Sequence, residues 1–92
     1  MGAYLVIEAT VRDREALDRY ASQAIPLIRQ FGGEVIVFGP WESLFGKRAY
    51  DNGMIVRFSG KDTALAWCNS PAYQALLDIR AAAFDCRFRL VG

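Results

Sequence analysis

The chain contains no histidine and only two cysteines among its 92 residues. Without histidine it lacks the usual base of a catalytic triad and the commonest transition-metal ligand. The cysteines, Cys68 and Cys86, do not form a CxxC pair, so we expect free buried thiols rather than a disulfide or a redox pair. These absences argue against Ser–His hydrolysis and metal catalysis, and we predict neither a metal site nor a cofactor.

Long hydrophobic runs and clusters of one charge are also missing. No apolar run approaches the ~20 residues of a membrane span, and the first residues, MGAYLVIEATV, lack the charged start and cleavage site of a signal peptide. Eleven basic and ten acidic residues give a net charge of +1, and the basic residues are scattered. A nucleic-acid-binding surface needs a basic patch. We therefore expect a cytoplasmic protein that binds neither membranes nor nucleic acid.

What the chain has in quantity is apolar side chains, at 53% of its residues. A chain of this length forms one domain, here residues 1–92, and leaves a large fraction of its surface exposed. The surplus apolar surface has to lie in a core, a cavity or a subunit contact. We predict a ligand cavity together with a contact to a second copy of the chain.

Apolar periodicity predicts four strands and two main helices. Asp13 is a suitable N-cap for the first helix, Pro26 should kink or break it, and Gly32-Gly33 should end it. A short helix capped by Ser59 or Asp62 should precede a helix that begins at Ser70. The predicted strands cover residues 3–11, 34–38, 54–58 and 86–91, and the two main helices lie at about 13–31 and 70–84.

The order β-α-β-β-α-β, with right-handed crossovers, gives a four-stranded antiparallel sheet with both helices on one face. This is the ferredoxin-like arrangement of the α+β class. The first strand then lies between the third and the fourth, so Glu8 should meet Arg57 on one side and Arg87 or Arg89 on the other. The face without helices should carry Tyr4, Val6, Glu8, Thr10, Glu34, Ile36, Phe38, Ile55, Arg57, Arg87 and Arg89.

Two groups of side chains are candidates for a site. Glu8 and Arg57 are candidates for an acid/base or substrate-orienting pair, although a structural ion pair uses the same residues. Arg80 with Ser70 and Tyr73 offers donors for a carboxylate or enolate. The alternative for this second group is that Ser70 only caps a helix, Tyr73 packs, and Arg80 binds carbonyls or an acidic residue.

Two aromatic residues complete the candidate list. Tyr20 lies on the buried stripe of the first helix, where a core role competes with substrate binding. Trp41 belongs to a loop, GPWESLFGKRAYDNG, that also carries Phe45 and Tyr50. Such rings cover either a ligand cavity or a subunit contact, and both alternatives remain open.

The motifs FGG at 31–33, NSPAYQAL at 69–76, IRAAA at 79–83 and the final LVG resemble the bacterial family known as domain of unknown function 1330. The chain differs at Arg57-Phe58-Ser59, where relatives usually have glutamate, phenylalanine and proline. The resemblance implies the dimeric α+β barrel superfamily, which includes cofactor-free monooxygenases, haem proteins, isomerases and stress-responsive proteins. A shared fold of this breadth does not transfer one activity.

Two functions follow as hypotheses. The first is a cofactor-independent enzyme or binder for a small acidic or enolisable molecule in a dimer cavity, with Glu8 as the base and Arg57 or Arg80 holding negative charge. The second is a non-catalytic homodimeric structural or stress-response binding protein. A cavity of roughly 300 Å³ or more beside Glu8, Arg57 and Arg80 favours the first, whereas a packed face with paired charges favours the second.

Overall fold

The computed structural model describes residues 2–47 and 49–92 and shows one four-stranded antiparallel sheet with helices on one face. The strand order is β2-β3-β1-β4, which confirms the ferredoxin-like α+β arrangement and the central position of the first strand. In chain order the elements are β1 (Ala3–Val11), α1 (Arg14–Gln30), β2 (Glu34–Pro40), β3 (Asn52–Phe58), α2 (Lys61–Asn69), α3 (Pro71–Gln74), α4 (Leu77–Ala83) and β4 (Phe84–Val91).

The hydrophobic core lies between the sheet and the helices. On the sheet side Val56 and Phe58 are fully buried, and on the helix side so are Trp67 and Tyr73. The Trp67 ring packs against Tyr73, with ring centroids 4.2 Å apart, and against Phe58 at 6.0 Å. Alternate residues of each strand therefore contact the helices, and the other residues form a sheet face without helices, called the open face below.

The first helix begins and ends as the sequence predicts. The Asp13 side chain accepts hydrogen bonds from the backbone N–H groups of Glu15 and Ala16. Pro26 lies inside the helix, and the helix continues through it to Gln30. A break at Pro26 was predicted as one outcome, but packing of the apolar stripe on the sheet keeps the helix continuous.

The second helical region differs from the prediction of a single helix after Ser70. It divides into α3 and α4, with a turn at Ala75 and Leu76 between them. The start of α2 is also different, because Gly60 is its N-cap and provides no side-chain cap. Ser59, predicted as a cap, instead shares a hydrogen bond with the Thr63 hydroxyl at 3.0 Å.

Ser70 links two of these helices. Its Oγ donates to the carbonyl of Trp67 at 2.8 Å and accepts from the backbone N–H of Tyr73 at 3.2 Å. The capping role predicted for Ser70 is confirmed. One hydroxyl thus provides a hydrogen-bond partner for a backbone carbonyl at the end of α2 and for a backbone N–H at the start of α3.

The variant Ser70→Ala is expected to lower the free energy of unfolding by about 1 kcal/mol, the usual value of an N-cap hydroxyl. Urea denaturation followed by circular dichroism measures this loss. Ser22→Ala is the matched control, because the Ser22 hydroxyl bonds only the Arg19 carbonyl on the exposed side of α1. Equal losses in the two variants would contradict the capping role.

The edge strand β2 contains a bulge that changes which side chains face the helices. The pairing of β2 with β3 shifts between Val35 and Val37. Beyond the shift, Val37 is opposite Ile55 on the open face, and Phe38 is opposite Met54 on the helix side. The prediction that Phe38 lies on the open face is therefore wrong, because one extra residue reverses the alternation.

Candidate functional site

A cavity of about 410 Å³ lies between α1 and the helix-covered face of the sheet. Its walls come from β1 and β3 on one side and from α1 on the other, and Phe38 and Pro40 of β2 contribute to its rim. The walls are mainly apolar, and the polar lining side chains are Arg14, Tyr20, Asn52 and Trp67. This volume is typical of a site for a small organic molecule.

Beside the cavity, Tyr20, Tyr73 and Arg80 form a chain of hydrogen bonds. The hydroxyls of Tyr20 and Tyr73 are 2.7 Å apart, and Arg80 Nη1 donates to the Tyr73 hydroxyl oxygen at 2.9 Å. The Arg80 guanidinium also lies over the Phe88 ring, 5.1 Å from its centroid. Helices α1, α3 and α4 each contribute one member of this chain, so it exists only in the folded protein.

The environment keeps both phenols protonated. Burial raises the pKa of Tyr20, and the Tyr73 phenol beside it raises the pKa further. Burial also raises the pKa of Tyr73, although its hydrogen bonds with Tyr20 and Arg80 act in the opposite direction. Both hydroxyls are therefore hydrogen-bond donors rather than bases. If Tyr73 donates to Tyr20, the Tyr20 hydroxyl hydrogen is free to donate to a molecule in the cavity.

Trp67 is a further polar residue of the cavity lining. Its side chain lines the cavity and is 1% exposed. Its indole Nε1 is buried and has no hydrogen-bond partner among residues 2–47 and 49–92. A buried N–H without an acceptor is unfavourable by about 1–3 kcal/mol. The indole Nε1 of Trp41, which does not line the cavity, is buried and unpartnered in the same residues as well.

The open face carries the predicted acid, and the predicted contact of Glu8 with Arg87 or Arg89 is confirmed. Glu8 Oε1 accepts from Arg87 Nε at 2.9 Å and from Arg89 Nη2 at 2.9 Å. The predicted contact between Glu8 and Arg57 is wrong, because Arg57 lies opposite Tyr4, four positions along the strand, and pairs with Glu34 at 2.6 Å. Neither Glu8 nor Arg57 lines the cavity, since both side chains are on the other face of the sheet.

The hydrogen bond from Arg87 lowers the pKa of Glu8, and the charge of Arg89 contributes to the same shift. Because the folded pKa is lower than the unfolded one, the pair stabilises the fold above about pH 4.3, and this contribution is lost as the pH falls through the lowered pKa. We expect Glu8→Gln to destabilise the protein at pH 7 and to differ less from wild type at pH 3. Urea titrations at the two pH values, with Glu42→Gln as a control at an exposed carboxylate, measure this; a constant difference would contradict the pair's role.

Trp41 also lies on the open face. A Cβ at Gly53 would overlap the Trp41 ring, and Gly53 is opposite Glu8 in the pairing of β1 with β3. The Arg87 guanidinium lies over Tyr50, 5.4 Å from the ring centroid. These aromatic side chains thus cover part of the open face near the ion pairs, and Trp41 does not line the cavity.

Residues 2–92 match the family model described as "Domain of unknown function (DUF1330)". The chain belongs to the DUF1330 family. No curated protein matches this DUF1330 chain.

Several solved structures resemble this DUF1330 protein, among them the three that follow. The RPA0582 protein of unknown function from Rhodopseudomonas palustris is 21% identical, with a TM-score of 0.81 over 98% of this chain and 80% of that one. SnoaB, a cofactor-independent oxygenase from Streptomyces nogalater, is 10% identical, with a TM-score of 0.72 over 99% of this chain and 91% of that one. A dimeric ferredoxin-like protein of unknown function from Jannaschia sp. CCS1 is 15% identical, with a TM-score of 0.65 over 100% of this chain and 99% of that one. At these identities the likeness shows the fold alone.

The structure divides the predicted site residues of the DUF1330 chain into two groups. It brings Tyr20, Tyr73 and Arg80 together, with Ser70 as the cap of the helix that carries Tyr73. It places Glu8, Arg57 and Trp41 on the opposite face of the sheet.

Three residues that line the cavity were not among the predicted site residues, namely Trp67, Arg14 and Asn52. The available signal for Trp67 was a tryptophan two residues before the NSPAY motif, on the apolar side of a predicted short helix. No sequence pattern distinguishes Arg14 or Asn52 from other polar residues at the ends of helices and strands.

Two general properties of the described residues bear on function. No helix within them is long and apolar enough to cross a membrane. No group of three or more cysteine, aspartate or glutamate side chains in the same residues is arranged to hold a metal ion.

Proposed function

We propose that this DUF1330 protein binds a small, largely apolar molecule with an acidic or enolisable group in the cavity between α1 and the sheet, and acts on it without a cofactor. The observation that carries this proposal is the largely apolar cavity of about 410 Å³, whose lining includes Trp67, a residue with a buried indole N–H that is unpartnered among the described residues. A cavity with apolar walls and few polar groups is typical of small-molecule sites.

The polar groups suit the stabilisation of an oxyanion. Trp67 Nε1 and the Tyr20 hydroxyl are donors, and Arg80 holds the Tyr73 hydroxyl that orients Tyr20. Such donors lower the energy of a developing enolate when they are already in place before the reaction. The lining residues in the described part of the chain include no carboxylate, and Glu8 lies on the far side of the sheet. The proposed substrate is therefore one that enolises readily, and its α-proton passes to solvent water or hydroxide while the donors hold the enolate oxygen.

The comparison with SnoaB supports this proposal only at the level of the fold. SnoaB is described as a cofactor-independent oxygenase, and it resembles this chain over nearly its whole length. The fold can therefore carry an enzyme that needs no cofactor, and the cavity of this chain, with apolar walls and a few polar side chains, is consistent with such an enzyme.

An exchange experiment tests the proposal. The enolisable ketone β-tetralone is incubated with the protein in deuterium oxide, and loss of its α-proton signal is followed by NMR. We expect exchange faster than in buffer, reduced about tenfold or more by Trp67→Phe, which removes the N–H and keeps an aromatic ring. Ala21→Leu, which fills part of the cavity, should also reduce it.

The control is Leu65→Ala, at a half-exposed position of α2 that does not line the cavity. It should leave the exchange rate unchanged. If the ketone binds but its exchange is not accelerated, the cavity is a binding site without enzymatic activity toward this ketone. No binding in the wild type, or equal rates in wild type, Trp67→Phe and Ala21→Leu, would contradict the proposal.

We also propose that the open face is the contact of a homodimer. Its charges are already paired, Glu8 with Arg87 and Arg89 and Arg57 with Glu34, and exposed apolar residues such as Tyr4 and Val37 lie among them. Solved neighbours are described as dimeric. A face of this kind also favours the second function, a non-catalytic homodimeric binding protein, if the cavity proves inert.

Sedimentation tests the dimer. The wild type should sediment as a dimer at micromolar concentration, and Val6→Lys should shift it toward monomer, because the introduced ammonium would lie directly opposite Arg89 within the contact. Leu65→Lys is the matched control on α2, away from the open face. Wild-type monomers, or the same shift in both variants, would contradict the proposed contact.

A further inference from the structure

Arg14 is the one charged residue that lines the cavity within the described ranges 2–47 and 49–92. It is the first residue of α1, its side chain is 79% exposed, and its Nε lies 3.6 Å from Asp18 Oδ1. The residues next to it in the cavity wall include Val11 and Leu17, which are apolar. Arg14 therefore holds a positive charge at the boundary between solvent and an apolar interior.

Helix stability does not account for an arginine at this position. A cation in the first turn opposes the helix dipole, which favours acidic residues there. The pair with Asp18 at i,i+4 has the basic residue on the N-terminal side, the weaker of the two orders. Asp13 already provides the cap through the N–H groups of Glu15 and Ala16. The position of Arg14 is better explained by something at the rim of the cavity.

Asn52 is the second polar side chain that belongs to the rim rather than to the core. It is half-buried at the start of β3 and lines the same cavity. A guanidinium offers forked donors to a carboxylate, and an amide adds one more. The remaining wall requires an apolar body in the ligand.

Resting on the proposed function, we propose that the ligand is a monocarboxylic acid whose apolar body fills the cavity and whose carboxylate binds Arg14 at the rim, with Asn52 as a second donor. At roughly 30 Å³ per non-hydrogen atom, the density of liquid water, a cavity of about 410 Å³ accommodates a body of about a dozen such atoms. Arg14 is thus a specificity-determining residue for the acid.

The test compares two ligands of nearly equal shape, phenylbutyrate and phenylbutanol, by isothermal titration calorimetry at low salt. We expect the wild type to bind the acid more tightly. Arg14→Gln should weaken binding of the acid about fivefold and leave the alcohol unchanged, in the range of an exposed ion pair. Asp18→Asn should tighten binding of the acid, because it removes the carboxylate that competes for Arg14.

Arg19→Gln is the matched control, since it removes an exposed arginine of the same helix that does not line the cavity. It should change neither affinity. If acid and alcohol bind equally, and neither Arg14→Gln nor Asp18→Asn affects the acid, the role of Arg14 is overturned while the cavity remains a site. If neither ligand binds, or Ala21→Leu leaves both affinities unchanged, the proposed function fails as well.

Discussion

Replacing Tyr73 with phenylalanine is expected to lower the free energy of unfolding by about 1–3 kcal/mol. The Tyr73 hydroxyl is the central member of the chain, bonded to Tyr20 at 2.7 Å and to Arg80 at 2.9 Å. Without it the buried Tyr20 hydroxyl and the partly buried guanidinium both lose their partner. Urea denaturation measures the loss, and the β-tetralone exchange rate should fall with it, because Tyr20 is no longer oriented.

Tyr20→Phe is the matched variant. It removes one end of the chain and leaves Tyr73 bonded to Arg80, so its cost should be smaller, about 1 kcal/mol. In the double variant the two losses should not add, because both remove the same bond between the phenols. Equal losses from the single variants, or full additivity, would show that the two tyrosines act as separate packing residues.

Gly33→Ala is expected to destabilise the protein by about 1–3 kcal/mol through overpacking. A Cβ at this position would lie 2.7 Å from both Ile28 Cγ2 and Phe58 Cε1, and 3.0 Å from the Ile28 carbonyl oxygen. Ile28 and Phe58 are buried in the core, so neither has room to move away. Thermal unfolding followed by circular dichroism measures the effect.

The control is Gly60→Ala, where a Cβ would meet nothing within 4 Å and the backbone is extended. Its effect should stay within about 0.5 kcal/mol, because the smaller loss of backbone freedom with alanine offsets its lower preference for the N-cap position of α2. A large loss at Gly60, or a tolerated alanine at Gly33, would contradict the close approach of the turn at Gly33 to Ile28 and Phe58.

The two glycines that follow α1, Gly32 and Gly33, differ in how much of their role can be predicted from the sequence. The pair Gly32-Gly33 is recognisable as a helix end, and Gly32 has the expected positive φ of 80°. The need for glycine at position 33 comes from Phe58, which is distant in sequence and meets this turn only when β3 pairs with β2. No local pattern contains that contact.

The candidate site shows the same division. The apolar stripes of the two predicted main helices pointed to Tyr20, Tyr73 and Arg80, because an arginine on or near such a stripe needs a partner. The cavity on the helix side was not predicted; it exists because α1 and the sheet leave space there that small residues such as Ala21 and Ala24 do not fill. The cavity expected beside Glu8, between the open faces of two copies, stays a prediction.

Periodicity and neighbours within a few positions are enough to predict the order of the strands, the two faces of the sheet and the helix caps Asp13 and Ser70. They also predict the contact of Glu8 with Arg87 or Arg89. Tertiary structure decided that Arg57 pairs with Glu34 and not with Glu8, since strand register sets those distances. It also decided that a bulge turns Phe38 toward the cavity. Register, bulges and unfilled volume result from how distant segments pack, and short-range patterns do not encode them.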